Sequence, residues 1–159
     1  ITATFEAALA SVPYAIGVNN HMGSVLTASG QALQPLMNVI KHTGLFFVDS
    51  RTTRFTVAQQ VAREKQIPNA RRHVFLDHEQ TEAFMNEQWQ RAIALTRKHP
   101  KVIIIAHPHP GTIEFLQDKL ANLPAQHFVL KSMHDYFDKP DTPQREYASS
   151  AQVSVAAPN

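Results

Sequence analysis

The apolar positions of this chain fall into short, nearly continuous runs, separated by longer stretches in which they recur every three or four residues. The runs at about 14–18, 45–49, 73–76, 102–106 and 127–130 predict strands. Several of them do not alternate apolar with polar, which suits parallel strands covered on both faces. The stretches between them predict helices. Residues 2–11 are rich in alanine and end before Pro13. Residues 31–42 place Leu33, Leu36, Met37 and Ile40 on one face, with Gly44 as a stop. Pro35 inside that pattern predicts a helix start or a kink. Further helices are expected over 55–66, 80–99 and 112–123, closed by Pro68, Pro100 and Pro124.

Strand and helix in alternation predict an α/β layer or barrel. Right-handed crossovers would put the C-terminal end of every strand on one side. Four polar clusters follow directly after predicted strands: Asn19-Asn20-His21, Asp49-Ser50-Arg51, Asp77-His78 and His107-Pro108-His109. Residues far apart in sequence would therefore meet on the face where parallel α/β folds bind their ligands.

The 159 residues suggest one domain with a core of ordinary size. We expect an α/β domain over 1–137 and a mobile tail over 138–159, where prolines, serines and alanines replace any periodicity. With no cysteine, a disulfide, a thiolate metal site and a cysteine nucleophile are all excluded. The net charge of +2 and the short pairs Arg71-Arg72 and Arg97-Lys98, read as solvated, do not predict a nucleic-acid partner. The longest apolar run, 102–106, is far too short to span a membrane. No nucleophile elbow, phosphate-binding loop or dinucleotide fingerprint is present. Nine histidines are many for this length and direct attention to metal or proton chemistry.

In the run Gly17-Val18-Asn19-Asn20-His21-Met22-Gly23-Ser24, the amides suit a polar substrate and the imidazole suits a metal or a proton. The same residues also suit a polar turn. His107 and His109 would point the same way in extended backbone and are a candidate metal grip, or simply part of a proline-rich turn. His107 alone, nearest the strand end, is a candidate acid or base. Asp49 and Arg51 form a candidate orienting pair or substrate clamp; alternatively Asp49, Ser50 or a following threonine caps the next helix. Asp77 reads as a cap for a helix at Gln80, and His42, His99, His127 and His134 as surface or helix-end residues.

Taken in order, Gly17–Ser24, Leu45-Phe46-Phe47-Val48-Asp49-Ser50-Arg51-Thr52-Thr53, Val74-Phe75-Leu76-Asp77 and Ala106-His107-Pro108 resemble the divergent polysaccharide deacetylase family. The resemblance implies a distorted (β/α) barrel and a periplasmic or cell-envelope location. It implies metal-dependent removal of acetyl groups from an envelope carbohydrate, with zinc as the expected ion. It makes His107 the late-strand catalytic histidine and Asp49 and Arg51 the pair that orients it. His21 becomes a metal ligand, and Asn19, Asn20, Ser50 and His109 substrate contacts. The family's early motif carries an Asp-Asp pair, which this sequence lacks. The chain is therefore expected to begin partway through the domain and to form an incomplete barrel of about five strands. Its metal site would be completed by residues upstream, and its open sheet edges would favour self-association. A catalytically inactive carbohydrate-binding or scaffold protein of the envelope is the alternative. A phosphoesterase built on His107 and His109 is a third and weaker reading.

Overall fold

The computed structural model of the chain describes residues 1–123 and 128–137. Helix α1 spans Thr2–Ala10, and strand β1 Gly17–Asn19 follows it. A single turn, α2 (Ser24–Thr27), precedes α3 (Gly30–Thr43) and β2 (Phe46–Asp49). Next come α4 (Ala58–Glu64), β3 (Asn69–Arg71), β4 (Val74–Phe75), α5 (Glu82–Thr96), β5 (Ile104–Ile105), α6 (Pro110–Ala121) and α7 (Met133–Phe137).

The described strands form two parallel sheets, one in the order β1-β2-β3 and the other pairing β4 with β5. This is a mixed α/β architecture with parallel strands, as the apolar runs predict. Among the described residues the strands do not close into a ring. The chain steps between the sheets at two adjacent residues. Arg72 N–H donates to Asp49 O at 3.0 Å, and His73 N–H donates to Ile103 O at 2.9 Å. The end of β2 and the start of β5 are thereby fixed relative to each other.

The unbroken apolar run of β2 has its explanation in three packed clusters. Phe47 faces Leu33, Met37 and Ile40 of α3 and Ala58, Val61 and Ala62 of α4. Its neighbours Phe46 and Val48 point the other way, towards Ala70, Ile103 and α7. Successive strand residues address opposite faces, so a strand covered on both sides is apolar throughout. On the second sheet, Leu76 packs with Met85 and Trp89 of α5 and with Phe115 of α6. Removing a side chain of that size from such a cluster costs about 3–5 kcal/mol.

Several boundaries differ from those expected. Helix α3 begins before Pro35 and runs through it, capped by Ser29, whose hydroxyl accepts Ala32 N–H at 3.3 Å. The carbonyl that Pro35 leaves unpaired belongs to exposed Gln31, where water can reach it. Helix α4 starts at Ala58 rather than at 55, and α2 and α7 were not expected. Strand β3 was also not expected, because its sequence Asn-Ala-Arg has one apolar residue; its register with Phe47, Val48 and Asp49 makes it a strand. Phe128, Val129 and Leu130 carry no strand, and Val129 and Leu130 are exposed. Residue 127 of that expected strand and the expected tail over 138–159 lie outside the described residues.

Candidate functional site

The segments after β1 and β2 interlock. Asn19 Nδ2 donates to Ser50 Oγ at 3.0 Å, and Ser50 N–H donates to Asn20 Oδ1 at 2.8 Å. Thr52 Oγ1 donates to Met22 O at 3.1 Å, and Ser24 Oγ to Thr52 O at 3.2 Å. The two long polar motifs are thus one hydrogen-bonded platform. It holds Met22 and Arg51 at φ of 57° and 52°, in the left-handed region that residues with a Cβ seldom adopt. His21 rises from it, exposed.

Asp49 is buried beneath the platform, 1% exposed. Its Oδ1 accepts Arg51 N–H at 2.8 Å, and its Oδ2 accepts Thr56 Oγ1 at 3.0 Å and Gln59 N–H at 3.4 Å. Gln59 lies in the first turn of α4, whose N-cap residue Val57 supplies no side-chain cap. The carboxylate of Asp49 therefore satisfies one backbone donor of that turn from a distance, that of Gln59. Both Asp49 oxygens are thus engaged by Arg51, Thr56 and Gln59, within ten residues of the carboxylate.

The carboxylate that meets His107 is Asp77. His107 N–H donates to Asp77 Oδ2 at 2.7 Å, and His107 Nδ1 lies 3.2 Å from Asp77 Oδ1. Thr112 Oγ1 donates to Oδ2 at 3.0 Å. Asp77 is 2% exposed, whereas the His107 side chain is about one-third exposed (34%). An ionised carboxylate only accepts, so Nδ1 carries the proton in this bond and Nε2 is left for chemistry. Asp77 does not cap the following helix; Thr81 does, through its hydroxyl and Phe84 N–H at 3.2 Å. The prolines position this unit. Pro108 and Pro110 disfavour helix at the residues before them. His109 is accordingly extended, with φ −74° and ψ 144°, and α6 begins at Pro110 with Thr112 in its first turn.

Three further histidines gather here. The His21 and His107 rings meet edge to face with centroids 5.7 Å apart, and the His107 and His109 rings are 5.4 Å apart. His109 Nε2 lies 3.2 Å from Gln80 Nε2. His78 and His107 both pack near Phe75, at 5.9 and 5.3 Å. Ligand atoms of Asp77, His107 and His109 all fall within 4.8 Å of one another. Two imidazoles and a carboxylate are a donor set that zinc and similar ions accept. Asp77 has about four lone-pair sites, of which three take the donors named above, so one is left for a cation. The residues fit a divalent ion.

Arg72, read from sequence as half of a solvated pair, is half-buried in this site. Its Nε donates to Ser50 O and its Nη2 to Arg51 O at 2.9 Å, while its guanidinium covers the Phe75 ring at 5.1 Å. Burial and then the neighbouring Arg51 push its pKa down, against the pull of Asp49. Asp77 and Arg72 are the residues whose roles were not read from sequence. The Pro-flanked histidines marked a candidate site at a strand end, but the carboxylate that meets His107 depends on a contact across 30 residues.

Residues 1–137 match the family described as divergent polysaccharide deacetylase. An uncharacterized protein of Haemophilus influenzae is 46% identical over 110 residues, covering 69% of this chain and 39% of that protein. The uncharacterized protein YibQ of Escherichia coli is 39% identical over 127 residues, covering 80% of this chain and 40% of that protein. The chain thus spans about two fifths of the length of these relatives. The crystal structure of the uncharacterized protein ATU2773 from Agrobacterium tumefaciens matches the fold with a TM-score of 0.67 at 24% identity, over 70% of this chain and 45% of that one. On the family match and the two relatives, this chain belongs to the divergent polysaccharide deacetylase family.

Proposed function

We propose that this chain carries the later part of a deacetylase site acting on an acetylated envelope carbohydrate in the periplasm. The observation that carries the reading is the Asp77–His107 unit at the end of β5, its imidazole one-third exposed and ringed by polar residues from three other strand ends. Asp77 fixes the ring and the tautomer of His107, and Nε2 takes a proton from the attacking water and passes it to the departing amine or alcohol. Asn19, Asn20 and Ser50 form the hydrogen-bonding platform for a sugar, and Arg51 and His109 flank it. Asp49 supports the platform from below. A divalent ion, for which zinc is the natural candidate, would be held by Asp77 and His109 with His21 as a further ligand, or by His107 as well, in place of its proton role. Such an ion supplies polarisation of the acetyl carbonyl and a water of lowered pKa.

The test uses the full-length protein and measures acetate release from acetylated glycans. His107→Ala should lower the rate by roughly 10²- to 10⁴-fold, the usual worth of a positioned acid or base. An unchanged rate contradicts the assignment. One nitrogen cannot hold both a proton and a cation, and the closeness of Asp77, His107 and His109 also favours a ligand role for His107. Zinc added to the chain separates the two roles: the Nε2 nitrogen resonance of His107 moves only if it is a ligand. Glycan binding without any acetate release, indifferent to chelator, would point instead to a binding or scaffold protein.

A further inference from the structure

We propose that Arg72 is the positioning residue of this site: it locks the left-handed turn at Arg51 and, through Phe75, sets the ring of His107. The argument begins with the turn. Arg51 holds φ at 52°, a conformation that a residue with a Cβ seldom adopts. The carbonyls of Ser50 and Arg51 belong to the two peptide groups on either side of that residue, and Arg72 binds both. A guanidinium is a rigid planar fork, so two of its N–H groups can hold two successive carbonyls while its face lies on a ring. That face covers Phe75, whose ring also lies near those of His107 and His78.

The contacts close into a circuit. From Arg72 they run through Ser50 to Asn19 and Asn20, next to His21. The His21 ring meets that of His107, which returns through Phe75 to Arg72. The backbone of Arg72 also joins the end of β2 at Asp49. Among the described residues, the charge of Arg72 is in no ion pair with a carboxylate. Its guanidinium is spent on two carbonyls and a ring. A lysine keeps the charge but lacks the fork and the flat face.

The experiment is NMR on the chain, reading two quantities, the second of which a merely stabilising residue would not move in the folded state. These are the exchange rate of the Ser50 amide, which donates to Asn20, and the cross-peak between the His21 and His107 rings. In both Arg72→Lys and Arg72→Met the Ser50 amide should exchange roughly tenfold faster, and the ring cross-peak should be lost. Adding Arg51→Gly to Arg72→Lys should restore slow exchange, because glycine needs no help at positive φ. Wild-type exchange and an intact cross-peak in Arg72→Lys overturn the proposal, since charge alone would then suffice. Should Arg72→Met not fold, Phe75→Leu serves as the second variant. It should lose the cross-peak while Ser50 exchange stays slow; a retained cross-peak overturns the route through Phe75.

The catalytic meaning of this role rests on the proposed deacetylase reading. In the full-length protein, Arg72→Lys should lower kcat about tenfold, as expected when a reacting group is misaligned, and raise KM, because the loosened turn carries the proposed sugar contacts. If the wild-type protein releases no acetate, that reading fails while the NMR result stands or falls by itself.

Discussion

Asp49 and Asp77 are both buried carboxylates at the ends of parallel strands, and their donors divide the labour between them. Asp49 serves Arg51, Thr56 and Gln59, within ten residues of itself. Asp77 serves His107 and Thr112, 30 and 35 residues away. Replacing Asp49 by alanine strands amide donors beneath the platform and should cost about 1–3 kcal/mol in urea denaturation. The His107 tautomer should be unchanged in that variant; a switch would return Asp49 to the role expected from sequence. The candidate histidines were legible because Pro108 and Pro110 mark them as an extended pair at a strand end. The identity of the anchoring carboxylate was not, because the family resemblance gave that role to Asp49 and spacing alone cannot show a contact made across a crossover.

At the level of elements, the long apolar runs and the Gly44 and Pro100 stops made the β2 strand and the α3 and α5 helices legible. β3 was hidden because its two polar residues are dictated by its partner strand rather than by a face of its own. The step from β3 to β4 contains a pH-sensitive contact. Ile103 N–H donates to His73 Nδ1 at 3.0 Å, so His73 must be unprotonated at that nitrogen. Burial, then His99 at 5.5 Å between centroids, then Arg71 lower the pKa of His73 below its ordinary 6.5. The native state therefore binds a proton less readily than the unfolded chain. The contribution is complete above about pH 6.5 and is lost as pH falls through the lower folded value. His73→Asn keeps an acceptor for Ile103 without titrating. Its melting temperature should fall less steeply below pH 6.5 than that of the wild type, and equal slopes would remove His73 from the account.

Over the whole molecule, two parallel sheets and their crossovers bring polar segments from four strand ends to one side, and the family match over residues 1–137 is carried on that frame. This arrangement was legible because a parallel α/β topology leaves few alternatives. An incomplete barrel was expected from the resemblance, and the described strands do not close into a ring. The first sheet ends at β1, beside the exposed Tyr14 (93%) and Ile16 (53%). An edge strand beside exposed apolar residues invites pairing with another chain. Sedimentation of the chain should show mass increasing with concentration, and Ile16→Lys should suppress the increase. A wild-type monomer at every concentration would contradict this.

The measurement that bears most directly on the site is the tautomer of His107, read from its ring nitrogen shifts in the wild-type chain and in Asp77→Asn, with the histidines neutral. The account predicts a proton on Nδ1 and a bare Nε2 in the wild type, and a shift of the proton towards Nε2 when the carboxylate becomes an amide. A wild-type His107 already protonated at Nε2, or one indifferent to Asp77→Asn, would contradict the Asp77–His107 unit on which the proposed chemistry rests.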